Sequence, residues 1–225
     1  MKLTFLGTGA ADWRAADHKD LEGYRRNASV LIDDVLLIDP GPDVPDALVT
    51  FGKDAKSIRY ILNTHRHKDH YARATFAHLQ GAAFYPMKPG DTAQLGKYHI
   101  RAFQANHGAN CGGGVHFLIT NGEKTLFYGL DGAWLLYDEV IAIQESHPDL
   151  VVLDGTVGEQ AGDYRVFEHN DLAMVRLLKA ALDPHVGRFC ITHMSRKLHK
   201  SHAELSADMA RDGIEVAFDG MEIEI

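Results

Sequence analysis

An apolar run, Ile58 to Leu62, leads directly into Thr64-His65-Arg66-His67-Lys68-Asp69-His70, which places three histidines and one aspartate within six residues in the order H-x-H-x-D-H. Packing alone gives no reason for that density. Imidazole is the commonest side-chain metal ligand, and a carboxylate is its usual companion around a divalent cation. One such run can serve two metals if His65 and His67 face one way and Asp69 and His70 the other. The plainer alternative is a polar loop of unrelated histidines in a chain that holds 14 of them. The position of the run at the end of a strand-like segment favours ligation.

At 225 residues the chain is long enough for one large α/β domain, and its 45% hydrophobic and 24% charged content is that of an ordinary globule. No apolar run approaches the roughly 20 residues that cross a bilayer. The segment Met1 to Gly7 is too short for a signal peptide and reads as a first strand. Only two cysteines occur, Cys111 and Cys190, too few for a zinc ribbon or a disulfide framework. Cys190 reads as a buried small hydrophobe and Cys111 as a passive loop thiol. A cytoplasmic protein with no membrane partner is expected. The formal charge of −8 argues against an extended nucleic-acid surface. It leaves room for a small anionic substrate, because divalent cations reverse the field locally. A homodimer is compatible with these features.

The first half reads as strands joined by short turns: Lys2 to Leu6, Ala28 to Ile32, Val35 to Ile38 and Ile58 to Leu62. Asp33-Asp34 suits a tight hairpin. His70 to Leu79 is helical in composition. Strands are expected again at His99 to Ala105, Val115 to Ile119 and Lys124 to Tyr128, the last preceded by the hairpin pair Asn121-Gly122. In the second half, Leu135 to Glu145, Asp171 to Leu182 and Ser201 to Arg211 read as helices. Strands are expected at Leu150 to Leu153, Arg188 to Thr192, Ile214 to Phe218 and Met221 to Ile225. Leu172, Val175, Leu178 and Leu182 fall at helical spacing, with Asn170 or Asp171 as cap and Pro184 beyond the end. Clustered strands with about four helices point to two sheets packed face to face with helices outside, in one α/β domain over residues 1–225.

Two metals need more ligands than one hexapeptide carries. His107, Asp131 and His193 each follow an apolar strand and have a small or turn-forming neighbour. Each alone is a weak signal, and together they complete a stoichiometry.

In this respect the chain resembles the metallo-β-lactamase superfamily of hydrolases over essentially its whole length. The resemblance implies a four-layer αββα sandwich. It also implies two divalent ions, zinc, manganese or iron, held by His65, His67 and His107 on one side and by Asp69, His70 and His193 on the other, with Asp131 between them. Gly7-Thr8-Gly9, Arg25-Arg26-Asn27-Ala28, Leu37-Ile38-Asp39-Pro40-Gly41-Pro42-Asp43, His169-Asn170-Asp171-Leu172, Thr192-His193-Met194-Ser195 and Phe218-Asp219-Gly220-Met221 are similar to the phosphodiesterase branch, which includes phosphoribosyl cyclic phosphate phosphodiesterase and ribonuclease Z. Two departures stand out. Ala10 to Tyr24 lacks the cysteines of a structural zinc site, and no basic, glycine-rich arm for transfer RNA is visible. Gly7 and Gly9 lack the Lys-Ser/Thr ending of a phosphate loop and read as a turn that brings backbone close to the metal edge.

The expected chemistry is hydrolysis of a small phosphodiester, cyclic ones included, by a hydroxide that bridges two cations, oriented by Asp69. His169, at the opening of a helix as in the family, is the first candidate to protonate the leaving group; His199 and His202 lie near enough in sequence to compete. Ser195 and Arg196, with Lys197, are candidates to hold phosphate oxygens. Asp39 and Asp154, at strand ends, are expected to orient ligand imidazoles rather than bind metal. His18, His78, His116, His147 and His185 are assigned to surface or packing. Hydrolysis of a carboxyl ester, thioester or lactone, and a non-catalytic binding role, are the alternatives.

Overall fold

Thirteen short strands form among the described residues, most of them in runs rich in apolar and β-branched residues: β1 (Lys2–Gly7), β2 (Ser29–Ile32), β3 (Leu36–Ile38), β4 (Tyr60–Leu62), β5 (Ala83–Phe84), β6 (Thr92–Leu95), β7 (Tyr98–Gln104), β8 (Val115–Thr120), β9 (Thr125–Gly129), β10 (Leu150–Asp154), β11 (Arg188–Thr192), β12 (Ile214–Val216) and β13 (Glu222–Glu224). The helices are α1 (Ala15–His18), α2 (Val44–Thr50), α3 (Tyr137–Ser146), α4 (Leu172–Leu182) and α5 (His202–Met209). The computed structural model describes residues 1–108, 112–160 and 162–225. Cys111 therefore lies outside the described residues. Cys190 is a fully buried thiol.

The strands make two sheets, one ordered β13-β1-β2-β3-β4-β5 and the other β12-β11-β10-β9-β8-β7-β6. Alternate residues of both turn into one shared core: Leu3, Phe5, Ile32 and Ile38 from the first sheet meet Ile100, Phe117, Tyr128 and Val152 from the second. The intervening residues face outward and are buried as well. Leu31, Leu37 and Ile61 pack with Val44, Ala47 and Leu48 of α2. Phe127, Val151 and Ile191 pack with Ile143 of α3, Leu172 and Val175 of α4, and Leu205 of α5. The layers thus run helix, sheet, sheet, helix, the expected αββα sandwich. Burial on both faces explains why the central strands read as continuous apolar runs rather than as alternating ones. Each fully buried Leu, Ile or Phe contributes about 1.5–3 kcal/mol of transfer free energy.

Strand direction decides where the polar chemistry gathers. β3 and β4 are parallel, as are β9, β10 and β11. β7 runs with β9, because both are antiparallel to β8. The carboxyl ends of β3, β4, β7, β9, β10 and β11 therefore deliver their loops to one edge of the sandwich, and parallel strands commonly bind ligands at such an edge.

Two close approaches tighten that edge. A Cβ on Gly41 would lie 2.1 Å from the carbonyl oxygen of Asp69, so only glycine lets the Asp39–Pro42 turn pass behind the histidine run. Gly9 bridges to both Asn27 and Met194, and the Ala10 N–H donates to the Met194 carbonyl. The first glycine loop is thereby fastened beside His193, as expected for a turn at the metal edge.

Other expectations need correction. His70 to Leu79 is not an α-helix; only a 3-10 turn forms, over Arg73–Ala77. Ala72 N–H is committed to the Pro40 carbonyl and the Thr75 hydroxyl to the Gly41 carbonyl, and these bonds hold the segment against the Asp39 turn. Helices α1 and α2 and strands β5 and β6 were not anticipated, although Pro45 in the first turn of α2 is a readable helix start. Asp33 and Asp34 do turn the β2–β3 hairpin, both with positive φ. No helix among the described residues is long and apolar enough to cross a membrane.

Candidate metal centre

The loop after β4 supplies His65, His67, Asp69 and His70, the loop after β7 supplies His107, and Asp131 and His193 follow β9 and β11. The structure brings all seven together at the one edge. His67 Nδ1 lies 2.9 Å from His65 Nε2 and 3.2 Å from His107 Nε2. A second cluster faces it. His70 Nε2 is 3.1 Å from His193 Nε2, and Asp69 Oδ2 is 3.2 Å and 3.5 Å from those two nitrogens. Asp131 stands between the clusters, with Oδ2 3.7 Å from His65 Nε2 and 3.4 Å from His70 Nε2. Each of the sets His65/His67/His107, His65/His70/Asp131 and Asp69/His70/His193 has its ligand atoms within 4.8 Å of one another.

The electrostatics suit a cation. Burial and the imidazoles of His70, His107 and His67 outweigh the pull of Asp131 and hold His65 down at about 2, so it presents a neutral lone pair, the form a metal binds. Burial would raise Asp69, yet His70 and His193 beside it carry the carboxyl well below its usual range. Burial likewise disfavours charge on His70, but Asp131, Asp69 and Asp39 overcome this and push it well up. Three carboxylates thus draw positive charge to one buried position. Asp131 Oδ1 is also buried without a hydrogen-bond donor. Imidazoles, two carboxylates and no thiolate fit one or more divalent cations of borderline hardness.

What lies behind the ligands repeats in both sheets. His65 Nδ1–H donates to the Thr64 hydroxyl (3.0 Å), and Thr64 donates through N–H and O–H to Asp39. His193 Nδ1–H donates to the Thr156 hydroxyl (2.7 Å), which in turn donates to Asp154 Oδ1 (2.6 Å). Asp39 also accepts from His70 Nδ1–H at 2.8 Å. Each of these bonds fixes a ring tautomer with Nε2 toward the clusters. Asp39 and Asp154 thus occupy the orienting positions expected for them. Asp154 stands near Asp131, His169 and His193, in a group that could itself hold an ion. Its two oxygens already accept from Thr156, Gly132 and His169, however, which suits an orienting role better. The threonines gave no sequence signal of their own. Asn106 and Asn170, next to His107 and His169, hold Ala133 and Trp134 of the Asp131 loop; the helix cap expected at Asn170 or Asp171 is Asp171.

Replacing Asp39 with Asn is expected to weaken metal binding roughly 10–100-fold, as loss of an orienting carboxylate generally does. Asn tolerates the positive φ of this residue (+62°), so the backbone need not move. Competition with a chromophoric chelator checks this, and unchanged affinity would remove Asp39 from the orienting set.

The clusters open into a cavity of about 730 Å3. His67, Asp69, Asp131, His169 and His193 line it. Three cations that the sequence reading did not single out, Arg14, Lys68 and Arg165, line it too. Arg14 and Arg165 are paired with Asp17 and Asp163. His169 Nδ1–H donates to Asp154 Oδ2 at 2.6 Å; burial opposes its charge, but Asp154 prevails and its pKa is pushed up to about 9. Of its two competitors, His199 donates Nε2–H to the Thr156 carbonyl and lines a smaller neighbouring cavity, and His202 accepts from Arg25. Ser195 lines the main cavity, but its hydroxyl donates to Asp12, as does the Arg196 N–H. Arg196 is not among the lining residues, because this turn folds back onto the Ala10–Trp13 loop. His116, assigned to surface or packing, is 1% exposed and hydrogen-bonded at both ring nitrogens.

A family model described as "Anti-Pycsar protein Apyc1" matches residues 1–81. No curated protein matches the sequence. Among solved structures, the chain is similar to Zn(2+)-bound PqqB from Methylobacterium extorquens, at 17% identity and TM-score 0.77 over 100% of both chains. It is similar to YhfI from Bacillus subtilis, a metallo-β-lactamase fold protein, at 16% identity and TM-score 0.76 over 99% of both. It is also similar to a diphosphatase from the PhnP family, at 19% identity and TM-score 0.71 over 100% of this chain and 97% of that one. The two sheets, the outer helices and the His/Asp clusters at their common edge are thus those of a protein with the metallo-β-lactamase fold.

Proposed function

We propose that the protein is a metal-dependent hydrolase of small phosphodiesters, cyclic ones included, with two divalent ions held by His65, His67 and His107 and by Asp69, His70 and His193, and with Asp131 shared. The observation that carries this reading is the set of cations on the cavity wall, Arg14, Lys68 and Arg165, beside the bridged clusters. They favour an anionic substrate over a neutral ester or lactone. The likeness to a diphosphatase supports phosphorus chemistry in the same way.

When bound, the two ions supply an activated water and a clamp for the oxygens on phosphorus. The chain's own residues do the rest. Asp69 meets His70 and His193 through Oδ2, which leaves Oδ1 to hold the attacking water on the cavity side. His169, fixed at Nδ1 by Asp154, turns Nε2 to the departing oxygen and gives it a proton. Lys68 follows His67 directly and brings its ammonium to the incoming phosphate. Ser195 is a lesser contributor, since its hydroxyl is engaged with Asp12.

Protein loaded with zinc or manganese is expected to turn over bis(p-nitrophenyl) phosphate and a cyclic ribose or nucleoside phosphate, and to be inert toward a homoserine lactone. Turnover of the lactone alone would overturn the phosphodiester reading and favour acyl chemistry on the same site.

A further inference from the structure

Asp131 is shared by both clusters, so the position of its backbone sets the spacing of the whole site. His116 is the second residue of β8, opposite Phe103 of β7, and is 1% exposed. Its Nε2 is 3.1 Å from the Asp131 carbonyl oxygen and its Nδ1 is 2.5 Å from Glu139 Oε1. Both partners are acceptors, so both ring nitrogens donate. Glu139, also 1% exposed, uses its other oxygen to accept the Leu136 N–H at the start of α3 (2.7 Å). The chain of contacts therefore runs from the first turn of α3, through a carboxylate and an imidazole, to the backbone of the bridging residue. The fit is close: a Cβ on Gly132 would lie 2.7 Å from His116 Cε1.

A buried charged pair is a costly way to fill space, since well-packed apolar residues serve stability as well or better. What this pair does that apolar residues cannot is hold a carbonyl. We infer that Glu139 and His116 are positioning residues, which fix the Asp131 turn against the amino-terminal turn of α3 and thereby set the geometry of the metal-bridging carboxylate. This rests on the metal reading proposed above.

The test compares wild type with His116→Leu/Glu139→Leu, Glu139→Gln and Gly132→Ala. It uses thermal melting for the fold, zinc affinity by chelator competition, and the visible absorption bands of the cobalt(II)-loaded protein. The double variant removes both charges together, and leaves only the Asp131 carbonyl and the Leu136 N–H without the partners they had. It is expected to fold, to bind zinc roughly 10–100-fold more weakly, and to show shifted cobalt bands. Glu139→Gln, whose amide can accept from Leu136 and donate to a neutral His116 that still holds the Asp131 carbonyl, is expected to recover most of the affinity and the native bands. A folded double variant with native zinc affinity and native bands overturns the inference. So does a Glu139→Gln protein as impaired as the double variant. Should the double variant not fold, Gly132→Ala decides: it keeps both partners and wedges them from the turn, so weakened zinc binding supports the inference and native binding overturns it. Wild-type protein that binds neither zinc nor cobalt would instead sink the metal reading itself.

Discussion

Replacing His67 with alanine is expected to remove about half of the bound metal and to lower phosphodiester turnover by about three orders of magnitude or more. The size follows from the part a cation plays. Its charge stabilisation at phosphorus amounts to several kcal/mol, and each ~1.4 kcal/mol is a factor of ten in rate. His67 Nδ1 is the point at which the nitrogens of His65 and His107 converge, so no other side chain covers its loss. The ring is only half-buried at the cavity floor, so truncation opens little apolar space and the melting temperature of the apo chain should barely move. Metal analysis by mass spectrometry, read beside turnover and thermal melting, checks all three statements. A variant that keeps both its metal and its rate would refute the assignment of the first cluster.

The second large effect concerns His169 and depends on the leaving group. With a diester that expels a poorly acidic alkoxide, His169→Ala is expected to slow turnover by roughly 10²–10⁴-fold, the usual contribution of a positioned general acid. With p-nitrophenolate, which leaves without a proton, the loss should be less than about tenfold. The contrast separates proton donation from a fault in metal binding, which would slow both substrates alike. Comparing the two rates for the one variant is therefore more informative than either alone. Equal losses would leave Asp154 and His169 as scaffold.

Some of this was legible in the sequence and some was not, for identifiable reasons. The H-x-H-x-D-H run is local, so its six residues display their chemistry in one line. His107, Asp131 and His193 were legible because each follows an apolar strand, and parallel strands bring their ends to one edge. The cations were not. Arg14, just before α1, and Arg165, in a short 3-10 turn, lie far apart in sequence and come together only as walls of one cavity, and an isolated arginine carries no signal. Lys68 was in plain view inside the motif, but a lysine between two ligands reads equally well as a solvated side chain. Thr64 and Thr156 escaped because a hydroxyl that links an imidazole to a carboxylate is recognisable only in three dimensions. His70 to Leu79 failed as a helix for the opposite reason: its composition is helical, but its donors are claimed by Pro40 and Gly41. His116 was assigned to packing because a histidine within a strand gives no hint of a partner on a helix more than 20 residues away.

The division of the ligands between the two sheets has a mechanical consequence. His65, His67, Asp69 and His70 hang from the six-stranded sheet, and His107, Asp131 and His193 from the seven-stranded one. Away from this edge the sheets are joined by the apolar core, which resists separation better than sliding, and by a few polar ties such as those of Tyr98 and Lys97 to Asp33. An ion gripped from both sides acts as a rivet through the two plates and blocks that shear where the loops must stay in register. Because the ion binds the assembled edge and not the unfolded chain, it raises stability by mass action, about 2.7 kcal/mol when free metal is a hundredfold above its dissociation constant. On the proposed reading, metal supply would govern catalytic competence and mechanical integrity together, and a chain starved of metal would become slow and loose at the same time.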